Sequence, residues 1–282
     1  MIMTELILLI LVAIIAGLIG SVFGVGGGII LIPLLVFIFN IPIRVAAGIS
    51  IVSIIATSLM GSSVYLKNEI TNVKIGAILQ AAMSTGSIIG ALISVYTSEE
   101  IISLAFSFML FYASYMMIRS AQSSDKELNT SEGIASKLKL DGTFLDKSEG
   151  RIVNYGVKNL VQGFFISILG GMIAGMLGVG GGLINVPVIS MLMGAPIKVA
   201  IATSNFIIGI TAVSGSIVYF IRGLVNPLIV APVVIGIVIG AFIGANYMPK
   251  IRNITLKRLF SLYLIYTAVR LILRSLGIPI PF

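Results

Sequence analysis

The chain repeats itself. Shifted by 154 residues it falls on its own sequence without a gap. Gly24-Val25-Gly26-Gly27-Gly28 lands on Gly178-Val179-Gly180-Gly181-Gly182, Pro33 on Pro187, and Pro42-Ile43-Arg44-Val45-Ala46 on Pro196-Ile197-Lys198-Val199-Ala200. Ser50 lands on Ser204, Thr57 on Thr211, Tyr65 on Tyr219 and Asn72 on Asn226. The register persists to Gly86 and Gly90 (Gly240 and Gly244), then to Phe106-Ser107 and Tyr112 (Phe260-Ser261 and Tyr266). Chance low complexity does not hold Gly, Pro, Ser and Tyr in one register, so each half is a structural unit, 1–120 and 159–282.

The medium for those units follows from composition. Hydrophobic residues are 58% of the 282, charged residues 10%, and mean hydropathy is +1.15. A soluble domain carries about 25% charged residues, so this chain reads as an all-α polytopic membrane protein with room for roughly ten spans of about 20 residues. The net charge of +8 does not point to nucleic acid. The basic residues flank apolar runs, as topology signals and lipid head-group contacts do, and form no clustered face. There is no cysteine and no histidine, which removes thiol chemistry and the commonest general base and metal ligand. Met1 to Thr4 lacks the positive charge of a signal peptide, and the apolar run continues from Leu6 past Gly20, so the start reads as a first helix.

The apolar stretches of the first half are Leu6–Asn40, Ile43–Leu66, Val73–Tyr96 and Ile101–Ile118. The first would make a helix of about 52 Å against a hydrocarbon core of about 30 Å, and the glycine cluster interrupts it. It is a helical hairpin or a broken pair of helices. The loop before the last span of the first half holds Glu99-Glu100; its counterpart holds Lys250, Arg252, Lys257 and Arg258. The positive-inside rule puts these loops on opposite sides. The halves are then inverted repeats with an odd number of crossings, about five membrane segments each, the first two separated by GVGGG. Arg222 departs from the rule. Between the halves, residues 121–158 form a polar linker with six basic and six acidic residues, expected to be cytoplasmic. Thr143–Asp146 and Ile152–Val157, around Ser148-Glu149-Gly150, could pair as a hairpin.

Three groups of residues could carry function. Gly26, Gly27, Gly28 and their mates Gly180, Gly181, Gly182 allow positive φ and close approach, and a helix starting after such a break exposes N–H groups that attract anions. The alternative is close packing through small residues. Ser50, Thr203, Ser204 and Asn205, with Asn185 just past the second cluster where the first half has Leu31, are neutral donors suited to an oxyanion; the alternative is hydrogen bonding between helices or to the preceding turn. Ser53, Thr57 and Thr211 belong to the same polar rows. Arg44 and Lys198 would sit one at each membrane face and could funnel anions into two vestibules, or snorkel to head groups. Gly86-x-x-x-Gly90 and Gly236, Gly240 and Gly244 read as helix-packing glycines. No Asp or Glu lies mid-span, so a proton relay lacks carriers. No Walker motif and no nucleophile–base constellation is present, and the reading includes no enzyme activity, no catalytic residue, no cofactor and no metal.

The doubled GVGGGxxxxP, each copy followed by a proline and then Ala-x-x-x-Ser (Ala46–Ser50, Ala200–Ser204), resembles the TauE/SafE (TSUP) permeases. The tract Asp141–Asp146, Gly150 and Tyr155 leading into the second cluster fits that family's middle. The resemblance covers nearly the whole chain. It implies transport of sulfur-containing anions such as sulfite or small sulfonates. The second half has Ala202-Thr203-Ser204, the form expected; the first has Gly48-Ile49-Ser50, so its site is weaker or structural. The partners expected are a small anion and membrane lipid. With a negative interior, an anion gains about 2.3 kcal/mol per charge per 100 mV on leaving, which favours uncoupled export, with one half moving against the other. An anion channel and a non-transporting scaffold are the competing readings.

Overall fold

The computed structural model describes residues 3–120, 130–148, 150–250, 262 and 265–273. The first half runs α1 (Met3–Phe23), α2 (Gly28–Ile38), α3 (Ile43–Lys67), α4 (Val73–Tyr96) and α5 (Glu99–Ser120). The linker holds a single turn, α6 (Ile134–Lys137), and an antiparallel hairpin of β1 (Gly142–Asp146) and β2 (Arg151–Tyr155), with Phe144 opposite Val153. The second half runs α7 (Leu160–Leu177), α8 (Gly182–Pro187), a π-turn (Val188–Leu192), α9 (Ile197–Ile221), α10 (Pro227–Tyr247) and a 3-10 turn (Met248–Lys250). The chain is helical again over 265–273. Arg252, Lys257, Arg258 and the Phe260-Ser261 match lie outside the described residues.

Matched residues start matched helices. Pro42 and Pro196, both extended, precede α3 and α9. Asn72 caps α4 by accepting from the Ile75 amide, and its mate Asn226 caps α10 by accepting from Leu228. Pro187 has no N–H to continue the ladder, and the chain shifts into the π-register behind it.

Six helices among the described residues are long and apolar enough to cross a membrane: α1, α3, α4, α7, α9, and α10 with its 3-10 turn. The stretch Leu6–Asn40 is a hairpin. Gly27 lies against the backbone of Ala16 and Gly17, and the chain past α2 returns to the start of α1, where Glu5, Leu8, Asn40 and Ile41 line one cavity of about 390 Å³. Eleven residues make α2 about 16 Å long, half a hydrocarbon core. The second half folds back likewise: Gly170 faces Ile184, and the Lys158 amide donates to the Met193 carbonyl at 3.0 Å.

These bonds define two ends of the bundle. One gathers the start of α1, the end of α2, Arg44 bonded to the Thr97 carbonyl, and Arg222 bonded to Tyr96 at 2.9 Å. The other gathers the linker, Lys74 on the Lys139 carbonyl, Lys147 on Asn68, and Lys198 on the Pro249 carbonyl. α1 starts at the first end and α7 at the second, so the two halves run through the bundle in opposite directions.

The tightest seams join one half to the other. α1 packs along α10 and α4 along α7. A Cβ on Gly17 would strike the Ile237 backbone, and one on its mate Gly171 the backbone of Met83, which is the mate of Ile237. Gly86 and Gly90 lie on Met172, and Gly240 on Ile14 and Leu18. Backbones approach this closely only where side chains are missing, the small-residue packing of membrane helices.

Candidate functional site

The two glycine turns meet at the centre. Gly24, Gly26 and Gly27 take φ of 69°, 80° and 80°; Gly178, Gly180 and Gly181 take 70°, 75° and 83°. These are left-handed conformations that L side chains adopt at a cost. A Cβ on Gly28 would lie 3.1 Å from the Gly178 carbonyl oxygen, and one on Gly182 2.6 Å from the Val25 Cα. Gly26 and Gly180 both sit against Ile54 and Ile208, themselves a matched pair. Each turn therefore touches the other half's turn beside an aliphatic floor.

Two serines close the crossing. Ser50 donates to the Gly178 carbonyl at 2.8 Å, and Ser204 to the Gly24 carbonyl at 2.7 Å. Both are fully buried. Tyr65 and Tyr219 brace the helix ends just before the turns, donating to the Ser21 carbonyl at 2.8 Å and the Gly175 carbonyl at 3.0 Å. Sequence matching found both tyrosines and gave them no role.

The remaining polar candidates divide. The Asn205 amide donates to the carbonyls of Ser21 and Ile201, its backbone carbonyl accepts from Ser58, and its Oδ1 has no partner among the described residues. Asn185 is fully buried, and neither Oδ1 nor Nδ2 has a partner among the described residues. A buried polar group left unpaired costs about 1–3 kcal/mol. Ser87 and Ser167, which the sequence did not mark, are buried too, with hydroxyls that have no partner among the described residues. The first-half mates of Asn185 and Ser167 are Leu31 and Ala13. Thr203 does not join the centre: its hydroxyl oxygen accepts from the Asn72 amide at 3.0 Å, at the start of α4. Ser53, Thr57 and Thr211 bond back to the carbonyls of Ile49, Ser53 and Ile207.

The two cations lie at opposite ends. Arg44 donates to the Thr97 carbonyl, and its buried Nε has no partner among the described residues. Lys198 is 7% exposed and pairs with Asp146 of the linker at 2.6 Å. Burial works against the Asp146 carboxylate, but hydrogen bonds from Lys198 and Ser148 outweigh it and hold its pKa below the usual range. The Ser131 side chain and amide likewise hold Asp141 low. No cluster of three metal-ligating side chains gathers among the described residues.

The arrangement offers neutral donors, backbone amides and an aliphatic floor between two crossed turns, with one cation toward each end. The family model described as Sulfite exporter TauE/SafE matches residues 9–271. The chain belongs to the TauE/SafE family. Its relatives include the probable membrane transporter protein YunE of Bacillus subtilis (strain 168), 31% identical over 274 residues, 94% of this chain and 97% of that protein. YdhB of the same organism is 25% identical, covering 86% and 92%. MJ0441 of Methanocaldococcus jannaschii is 28% identical, covering 75% and 71%. Both are also named probable membrane transporter proteins. No solved structure matches the chain significantly. This TauE/SafE chain is thus an integral, multi-pass membrane protein of a transporter family, and the doubled glycine turn lies within the matched region.

Proposed function

We propose that this permease carries small sulfur-containing anions, sulfite or a small sulfonate, out of the cell through the plasma membrane. The observation that carries the reading is the crossing of the two glycine turns, each capped by the other half's serine through a neutral hydrogen bond. Such a centre can bind an oxyanion without a buried cation: the Asn185 amide and backbone N–H groups at the start of α2 are the donors, and the two serine hydroxyls fix the turns that present them. The glycines let the oxyanion approach the backbone. Ile54 and Ile208 close the centre between turnovers, which favours a carrier over a channel.

The linker end carries Lys67, Lys74, Lys147, Lys158, Lys198 and Lys250 beside Glu69, Asp141 and Asp146, and the far end carries Arg44 and Arg222 beside Glu5, Glu99 and Glu100, so the excess of cations lies at the linker end. This supports a cytoplasmic linker by the positive-inside rule and inverted repeats. The glycine seams shift the expected motion. They bind α1 to α10 and α4 to α7, so the moving bodies are mixed pairs, each with one helix from each half, rather than one half against the other. Outward flux of a monovalent anion is driven by about 2.3 kcal/mol per 100 mV, and no coupling ion is required.

The test is flux of labelled sulfite, sulfate and methanesulfonate in proteoliposomes, with potassium and valinomycin setting the voltage. Saturable, voltage-driven flux of one anion is expected. Flux that fails to saturate would make the protein a channel, and none from folded, inserted protein would remove the transport reading.

A further inference from the structure

Lys198 has a ligand that its mate Arg44 lacks. All three donors of its ammonium are used: Asp146 at 2.6 Å, the Ser148 hydroxyl at 2.7 Å and the Pro249 carbonyl at 3.2 Å. The carboxylate is presented by its own turn, since Ser148 donates to the same Asp146 oxygen through its amide at 2.8 Å and its hydroxyl at 2.7 Å. At the other end of the bundle the one hydrogen bond of Arg44 among the described residues is to a neutral carbonyl, that of Thr97. The linker end of the bundle therefore holds an anion supplied by the chain itself.

The hairpin is anchored at its base and light at its tip. At the base, Asn72 donates to the Leu140 carbonyl at 2.9 Å and to the Tyr155 hydroxyl at 3.1 Å. The Val157 amide donates to Ser131, and Lys158 to the Met193 carbonyl. Phe144, Val153 and Tyr155 are buried. At the tip, Leu145 and Ile152 are 51% and 73% exposed, and the bonds across to the helices are polar: Lys198 to Asp146 and Ser148, and Lys147 to Asn68. The tip meets the helices through polar bonds, while the base adds the buried side chains of Phe144, Val153 and Tyr155.

We propose that Lys198 is an oxyanion-binding group at the linker-side entrance, and that Asp146 is a tethered competitor that an arriving oxyanion must displace. This rests on the permease reading. An oxyanion offers the same acceptor oxygens as the carboxylate, and exchanging one for the other leaves the nearly buried ammonium paired throughout. The hairpin thus gates one face of the protein and leaves the Arg44 face ungated.

The experiment compares the wild type with Asp146→Asn, Ser148→Ala and Lys198→Met in oriented proteoliposomes. Labelled sulfite and methanesulfonate are presented to each face separately. Asp146→Asn should lower the half-saturating concentration at the linker face by about tenfold, because the apparent constant scales inversely with the fraction of molecules in which the lysine is free. Ser148→Ala should shift it the same way by less, Lys198→Met should raise it, and the opposite face should not respond. Hydrogen exchange over 142–155 reports tip release independently of transport. Release of the tip with unchanged half-saturation overturns the gate and leaves the permease standing, and equal changes at both faces make the pair a structural staple. If the folded wild type moves neither anion, the permease reading and the gate fall together.

Discussion

Ser50 reaches out of its own half to bond the carbonyl of Gly178, the first glycine of the other half's turn. The mirrored bond from Ser204 to Gly24 differs from it by only 0.1 Å in length (2.8 against 2.7 Å). Each turn is held in shape by the half it does not belong to.

Removing one hydroxyl leaves a buried carbonyl unpaired. Ser50→Ala and Ser204→Ala should each lower stability by about 1 kcal/mol, read as thermal unfolding in detergent. The Ser50→Ala loss should be the more harmful to flux, since Ser50 holds the second turn, the one that leads into α8 and its buried Asn185. Equal flux defects would argue that the two turns contribute alike.

Gly27→Val and Gly181→Val should abolish transport while expression stays measurable, because a β-branched residue at φ near 80° is strained. The alanine variants should differ. A Cβ at Gly27 would meet backbone, with the Ala16 oxygen 2.7 Å away, whereas at Gly181 the nearest group is the flexible end of Met83. Gly27→Ala should therefore cost more stability than Gly181→Ala. Normal flux in both valine variants would remove the turns from the mechanism.

Asn185→Leu installs the residue that the first half has at this place. It removes an unpaired buried amide, so the variant should be as stable as the wild type or more stable by about 1–3 kcal/mol, yet carry less anion. A variant both stable and fully active would leave Asn185 without a binding role.

The Asp146–Lys198 pair sets a pH window. The folded carboxylate titrates below its ordinary value of 3.8, so its contribution is whole above that value and is lost as pH falls through the lower, folded pKa. Hydrogen exchange over 142–155 should be flat in protection from pH 8 to about pH 5 and loosen only below about 4. Loosening near neutral pH would show that another group governs docking.

The repeat was legible because Gly, Pro and Asn mark positions where backbone geometry leaves little choice. Pro42 and Pro196 precede their helices, Asn72 and Asn226 cap theirs, and Gly24, Gly26, Gly27 and their mates Gly178, Gly180 and Gly181 carry positive φ. The over-long first stretch also announced a break, with a helical hairpin as one of its two readings, though not that α2 would reach only about half a hydrocarbon core. What the sequence could not give is pairing across distance. Ser50 and Gly178 are 128 positions apart, and Asp146 and Lys198 are 52; no local pattern records either bond. Thr203 shows the limit most simply. It adjoins Ser204 in sequence, but successive residues on a helix point about 100° apart, and its hydroxyl serves Asn72 instead.

The glycine seams also bear on where such a chain comes from. Among the described residues the stripe on α1 that receives α10 is covered from the other half, and α10 is the mate of α4, so in a lone half that stripe would match the α4 stripe of a second, upside-down copy. A half-length ancestor could have buried that surface only by inserting in both orientations and pairing with its own inverse. Duplication and fusion would then have turned a dual-topology homodimer into one polypeptide, leaving each copy free to diverge, as Leu31 and Asn185 have.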